Sequence, residues 1–184
     1  MVEISKVKVY DLEESIIASG YPMRTELTEG LNTAKVRAEK LAKLGNGHSN
    51  FLKGVRVSFD IKYPQYFAQQ LQRYLFNDIV SSQSKMHKLK EMKIEDVCNK
   101  YVTVESLAQL KELQNEYNVN PTYFNYMRLI SNCPMGLQLV MRCSTNYMCL
   151  KNIYVQRRKH KLKEDWGAFC EFIEGLPMFN ELIK

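Results

Sequence analysis

The stretch Val55 to Lys62 (VRVSFDIK) does most to narrow the folds open to this chain. Apolar and polar residues alternate along it, the period-2 pattern of a strand with one face buried. Lys6 to Leu12 (KVKVYDL) alternates in the same way, and Leu137 to Ser144 (LQLVMRCS) reads as a buried strand. Helical patterns separate these strands. Asn32 fits the N-cap of a helix reaching about Leu44, closed by Gly45 and Gly47. Pro64 fits the first position of a helix through about Asn77. A charged, leucine-containing helix covers about Lys93 to Tyr117 with a break near Tyr101 to Thr103. Asn120-Pro121 starts a helix to about Ile130, Asn146 one to about Arg158, and Lys163 to Leu176 supplies the last. Strands scattered among helices, with no regular βα alternation, predict an α+β fold rather than a doubly wound sheet. The 184 residues contain no internal repeat, low-complexity tract or Pro/Gly/Ser linker, so residues 1–184 are expected to form a single domain.

Charge gives a first functional constraint. The 26 Lys and Arg exceed the 20 Asp and Glu, a net +6. That excess predicts an anionic partner, and nucleotide phosphate satisfies it as well as DNA phosphate does. No apolar run approaches the roughly 20 residues that cross a bilayer, and the opening MVEISK lacks the apolar core of a signal peptide. No membrane association is expected. The five cysteines (Cys98, Cys133, Cys143, Cys149 and Cys170) form no Cys-x-x-Cys pair, and His48, His87 and His160 do not complete a zinc spacing. They read as reduced, mostly buried thiols of a cytoplasmic protein, with no metal site.

Nucleophilic and phosphate-cradling motifs are missing. There is no Gly-x-Ser-x-Gly elbow, P-loop or Gly-x-Gly-x-x-Gly turn, and the acid pairs Glu13-Glu14 and Glu164-Asp165 read as solvated. On the helix after Pro64, Tyr66, Gln70, Arg73 and Asn77 form a largely polar stripe beside the apolar Phe67, Leu71, Tyr74 and Leu75. The polar stripe can line a cleft or simply face solvent. Lys151 to Lys163 (KNIYVQRRKHKLK) is the densest basic run. It can track phosphates or complement a helix C-terminus. Aromatics are not interleaved with it beyond Tyr154, which counts against nucleic acid. Asn146, Leu150, Ile153 and Arg157 share one helix face, and an arginine on a partly apolar face needs a fixed anionic partner.

With these residues in view, the chain resembles the flavin-dependent thymidylate synthases. Gly47-His48-Ser49-Asn50-Phe51, the strand Val55 to Lys62, Tyr63-Pro64 and Gln70-Leu71 look like the family's Gly-His segment, core strand and the helix leading to its Arg-His-Arg signature. On that pattern Arg73 takes the first arginine, while Tyr74 replaces the histidine and Leu75 the second arginine. Gln83 falls at the family's serine, flanked by Ser82 and Ser84, and Lys85 at the arginine that follows. A second block runs from Cys133-Pro134 to Arg157: Asn146 stands twelve residues beyond Pro134, Asn152 six further, and Arg157 eleven beyond Asn146. Ile130 occupies a position where the family usually has arginine. The likeness spans about Val7 to Leu176.

The resemblance implies a single domain with a mainly antiparallel sheet flanked by helices. It implies FAD as cofactor and a deoxyuridine nucleotide, dUMP, as substrate, held between the subunits of a homotetramer. Methylenetetrahydrofolate would supply a one-carbon unit for uracil C5, and NADPH would regenerate the flavin. Arg157 would clamp the nucleotide phosphate, with Arg73, Gln70 and Lys85 as further substrate contacts. His48, Asn152, Arg73 and Tyr74 would contact flavin, and Ser82 and Ser84, flanking the position of the family's serine, are the catalytic candidates. Two other readings remain open: a non-catalytic relative that keeps the fold and nucleotide site, and a basic nucleic-acid-binding module using Lys151 to Lys163.

Overall fold

Val57, Phe59, Ile61 and Tyr63 are buried along β2 (Arg56–Pro64), while Arg56, Ser58, Asp60 and Lys62 between them are exposed or half-exposed. The computed structural model describes residues 1–184. It sets β2 inside a four-stranded sheet with β1 (Glu3–Tyr10), β4 (Gln138–Asn146) and β3 (Asp78–Ser82), in the order β1-β2-β4-β3. All three pairings are antiparallel. Phe59 stands opposite Cys143 and Ile61 opposite Met141, so the register stacks the buried residues of both central strands on one face. On the other face Asp60 accepts from Arg142 at 3.0 Å and pairs with Lys6. Those two cations hold its carboxyl below the ordinary range.

Helices α1 (Leu12–Ala18), α2 (Leu31–Leu44), α3 (Gln65–Leu71), α8 (Tyr147–Arg157) and α9 (Lys163–Glu174) surround the main core. In α2, Ala34, Ala38 and Ala42 recur every fourth residue and are buried, which allows close backbone approach. Phe59, Phe67, Trp166, Phe169 and Phe172 make an aromatic cluster between β2, α3 and α9, with ring centroids 4.5–6.1 Å apart. A smaller core of Leu89, Ile94, Leu110, Leu113, Leu129 and Leu137 lies among α4 (Lys85–Lys88), α5 (Ile94–Val97), α6 (Val104–Val119) and α7 (Tyr123–Ser131).

Several boundaries differ from expectation. Gly30, not Asn32, is the N-cap of α2, and of the two closing glycines only Gly45 is its C-cap, at φ 65°. Pro64 ends β2 and caps α3, because its φ of −76° with ψ 152° is extended. The helix stops at Leu71 rather than Asn77, so only Tyr66 and Gln70 of the polar stripe share it, and Asn77 is buried. Leu75, expected on the apolar stripe, is 88% exposed for the same reason. Thr122, not Asn120, caps α7 by accepting from the Asn125 N–H. The break near Tyr101 to Thr103 is present, and Thr103 caps α6 there. The edge strand β3 and helix α1 carry no strong periodicity in the sequence.

Candidate functional site

Gln70 on α3, Tyr74 just beyond it, Arg157 at the end of α8 and Trp166 on α9 converge, although up to 96 residues separate them in sequence. The Arg157 Nε–H donates to the Tyr74 hydroxyl at 2.7 Å, and Nη1 points to Gln70 Oε1 from 3.5 Å. The guanidinium lies over the Trp166 ring, 4.7 Å from its centroid, and 5.5 Å from that of Tyr74. Trp166 donates its indole N–H to Gln70 Oε1 at 2.9 Å.

The electrostatics of Arg157 set it apart. Of the four half-buried arginines, Arg24 and Arg37 pair with Glu29 and Arg142 pairs with Asp60. Arg157 alone among them meets no carboxylate. Partial burial without a counter-charge is costly, so the site attracts an anion. The neighbouring His160 accepts from the Leu162 N–H through Nδ1. Burial and the charges of Arg157 and Lys161 lower its pKa, so it stays neutral and adds no competing charge.

One turn before Gln70, Tyr66 faces the same side of α3. Its hydroxyl donates to Asp165 Oδ2 at 2.8 Å and accepts from Asn99 Nδ2 at 3.3 Å. Burial and the Asp165 carboxylate push the Tyr66 pKa well above the ordinary phenol value. These residues floor a hollow of about 740 Å³ walled by Val102, Met135 and Leu162, with Lys161 and Lys163 also lining it. Gly136 belongs to its wall because a Cβ there would sit 2.5 Å from Val102 and 2.7 Å from Asn99.

A neighbouring face of α3 carries the remaining nucleotide candidates. Gln65 and Gln69, with Ser82, Ser84 and Lys85, line a separate hollow of about 350 Å³. There Lys85 Nζ donates to Gln65 Oε1 at 3.0 Å. One chain therefore brings Gln70, Tyr74 and Arg157 together, and Ser82, Ser84 and Lys85 together, but not the two sets. His48, Arg73 and Asn152 are exposed and make no side-chain hydrogen bond within the chain. Asn146 is an N-cap whose side chain accepts from the Cys149 N–H at 2.9 Å. The basic run divides: Lys151 turns inward to Ala42 O and Leu182 O, and Arg157 turns toward Trp166, leaving Arg158, Lys159, Lys161 and Lys163 exposed.

None of the thiols is activated. All five cysteines are free, and burial raises the Cys143 and Cys170 pKa values to about 11. No group of three or more His, Cys, Asp or Glu is placed to hold a metal ion, and no helix is long and apolar enough to cross a membrane. Sequence reasoning missed Trp166. As the chain's sole tryptophan, placed in a helix with apolar neighbours, it was legible as a residue needing a partner for its N–H when buried. The Tyr66–Asp165–Asn99 network left no comparable signal, since its members come from three distant segments.

No family model and no curated protein matches the sequence. Solved structures do match in fold. Flavin-dependent thymidylate synthase ThyX from Helicobacter pylori, complexed with FAD and dUMP, superposes with a TM-score of 0.76 at 17% identity, over 98% of this chain and 100% of that one. A second structure of Helicobacter pylori ThyX with FAD and dUMP gives 0.76 at 19% identity, over 100% and 98%. The UMP/dUMP methylase PolB from Streptomyces cacaoi, bound with 5-Br dUMP, gives 0.68 at 10% identity, over 99% and 93%. Superposition along essentially its whole length shows that this chain has the fold of the flavin-dependent thymidylate synthases.

Proposed function

We propose that the chain binds a deoxyuridine nucleotide with FAD and transfers a one-carbon unit from methylenetetrahydrofolate to uracil C5, as a thymidylate synthase-type methyltransferase. The observation that carries this reading is Arg157. It is a half-buried guanidinium with no carboxylate partner, beside Gln70, and its spacing from Pro134 and Asn146 is that of the phosphate-gripping arginine in the family the chain resembles. The solved neighbours bind dUMP or its 5-bromo analogue, and two of them FAD.

The donor set fits an anionic nucleotide. Arg157 clamps the phosphate through its free Nη–H groups, and Gln70 hydrogen-bonds the nucleotide beside it. Lys85 with Ser82 or Ser84 contacts a nucleotide from a hollow that Arg157 does not line, so a complete site needs a second copy of the chain, in keeping with the tetramer that the resemblance implies. Fit to the flavin is thinner: His48, Arg73 and Asn152 are exposed donors available to it, while the Tyr74 hydroxyl is already engaged with Arg157 and Gln156. When bound, the flavin carries the one-carbon and redox chemistry, with NADPH restoring its reduced form. The chain's residues bind and orient the nucleotide and neutralise its charge.

An absorption spectrum of the purified protein with added FAD, followed by dUMP-dependent thermal shift, tests this. Flavin absorbance retained through gel filtration and a dUMP-induced rise in melting temperature are expected. A colourless protein indifferent to dUMP refutes the reading. A non-catalytic relative that keeps the nucleotide site is the second reading, favoured by the signature itself: Tyr74 spends its hydroxyl on Arg157, and Leu75 is apolar and exposed. Flavin oxidation driven by methylenetetrahydrofolate with dUMP excludes it.

A further inference from the structure

Gln70 Oε1 is approached by two groups that can only donate. The Trp166 indole N–H reaches it at 2.9 Å and Arg157 Nη1 points to it from 3.5 Å. Indole and guanidinium nitrogens have no acceptor capacity, so the atom they share must be the carbonyl oxygen. The amide NH2 of Gln70 is thereby turned away from both and makes no bond within the chain. A free glutamine can rotate its amide and offer either a donor or an acceptor, and Trp166 removes that choice. Trp166 has little freedom itself: it is fully buried, packed 4.5 Å from Phe67 and 5.6 Å from Phe169 by ring centroid, and its one polar atom has this one partner.

Tyr74 acts on the guanidinium in a parallel way. Its hydroxyl accepts from Arg157 Nε at 2.7 Å and gives its own proton to Gln156 Oε1 at 3.0 Å. This bond holds the Nε edge of Arg157 inward, with the plane over the Trp166 ring. His160, edge-on to Trp166 at 6.1 Å, already uses Nδ1 to accept from Leu162 and presents no second acceptor. What the cluster leaves unpaired is N–H: the amide of Gln70 and the outer nitrogens of Arg157.

We propose that Trp166 and Tyr74 are positioning residues that make this a donor-only site, selecting a ligand edge of acceptor oxygens and rejecting one that presents N–H. The oxygens belong to a phosphate or to a heterocycle carbonyl, and the inference rests on the nucleotide-binding reading of Arg157 and deepens it.

Because Trp166 is the only tryptophan, its emission reports both the state of Arg157 above its ring and the integrity of the core around it. The full chain is titrated with inorganic phosphate, deoxyuridine and dUMP. A saturable emission change with phosphate identifies phosphate as the occupant, and one with deoxyuridine identifies a base carbonyl. Gln70→Glu keeps an acceptor for Trp166 but removes the amide N–H and sets a carboxylate beside Arg157; native emission shows that this variant is folded, and at least about tenfold weaker binding is expected, from the lost hydrogen bond together with the new counter-charge. Trp166→Phe, followed by calorimetry, frees the amide and weakens binding about fivefold. Adding Gln70→Glu to it then costs less than the same substitution costs in the wild type, because the amide orientation being lost is the same one.

Unchanged affinity in Gln70→Glu, or additive losses in the double variant, overturns the inference while dUMP binding keeps the nucleotide reading. Gln70-dependent binding of phosphate or deoxyuridine with no binding of dUMP or FAD does the reverse. Silence toward all three probes overturns both.

Discussion

Replacing Arg157 by Met separates a ligand clamp from a structural strut. The thioether is about as long as the arginine stem and keeps contact with the Trp166 face. Loss of the Tyr74 bond costs about 1 kcal/mol, and loss of the guanidinium–indole contact roughly 0.5–1 kcal/mol. Opposing these, the substitution relieves a half-buried cation that has no carboxylate within reach, and buries one more apolar group. The net change in stability is expected to stay within about 1 kcal/mol, a melting-temperature shift of roughly 2–4 °C for a chain of this size. The effect on ligand is larger. Two charge-assisted hydrogen bonds from the free Nη groups contribute about 3 kcal/mol together, which is about 100-fold in affinity. Calorimetric titration with dUMP and thermal melts on the same samples measure both. Affinity within about threefold of wild type, or an affinity loss accompanied by a melting drop beyond about 8 °C, refutes the argument.

Three further outcomes follow from the geometry. Asn146→Ala should cost about 1 kcal/mol in urea denaturation through loss of the cap on Cys149, whereas Asn146→Asp should restore stability and leave dUMP affinity unchanged; a lost affinity in both would make Asn146 a ligand. Gly136→Ala should destabilise by roughly 1–3 kcal/mol, read as a lower melting temperature, because its Cβ meets Val102 and Asn99 well inside contact distance; an unchanged melt would contradict the close packing of this wall. Burial lowers the Lys151 pKa, so the folded state binds this proton less readily than the unfolded one. Relative to Lys151→Met, wild-type stability should therefore rise as pH climbs from the lowered folded value toward about 10.5, the unfolded value. Parallel stability–pH curves for the two proteins would show that Lys151 is not desolvated.

Legibility from sequence followed the range of the interaction involved. β2 and α8 were readable because alternation and capping are local: VRVSFDIK writes its burial pattern into neighbouring residues, and Asn146 caps three residues ahead. β3 was not, because all five of its residues are exposed and it exists by pairing with β4, which lies more than fifty residues away. Leu71, Tyr74 and Leu75 hold helical spacing and predict a longer helix after Pro64, yet the chain leaves the helix after Leu71 and turns toward the sheet edge.

The sequence by itself determined the α+β class, the two central strands, and the register of Asn146 and Arg157 along one helix, since each depends on spacing within a single segment. Only the tertiary structure decided that Arg157 has no counter-charge and that Trp166 fixes the amide of Gln70. It also decided that Ser82, Ser84 and Lys85 line a hollow separate from Arg157. Whether a cation is paired, and which end of an amide is free, depends on groups delivered by distant segments, and no spacing along the chain encodes that.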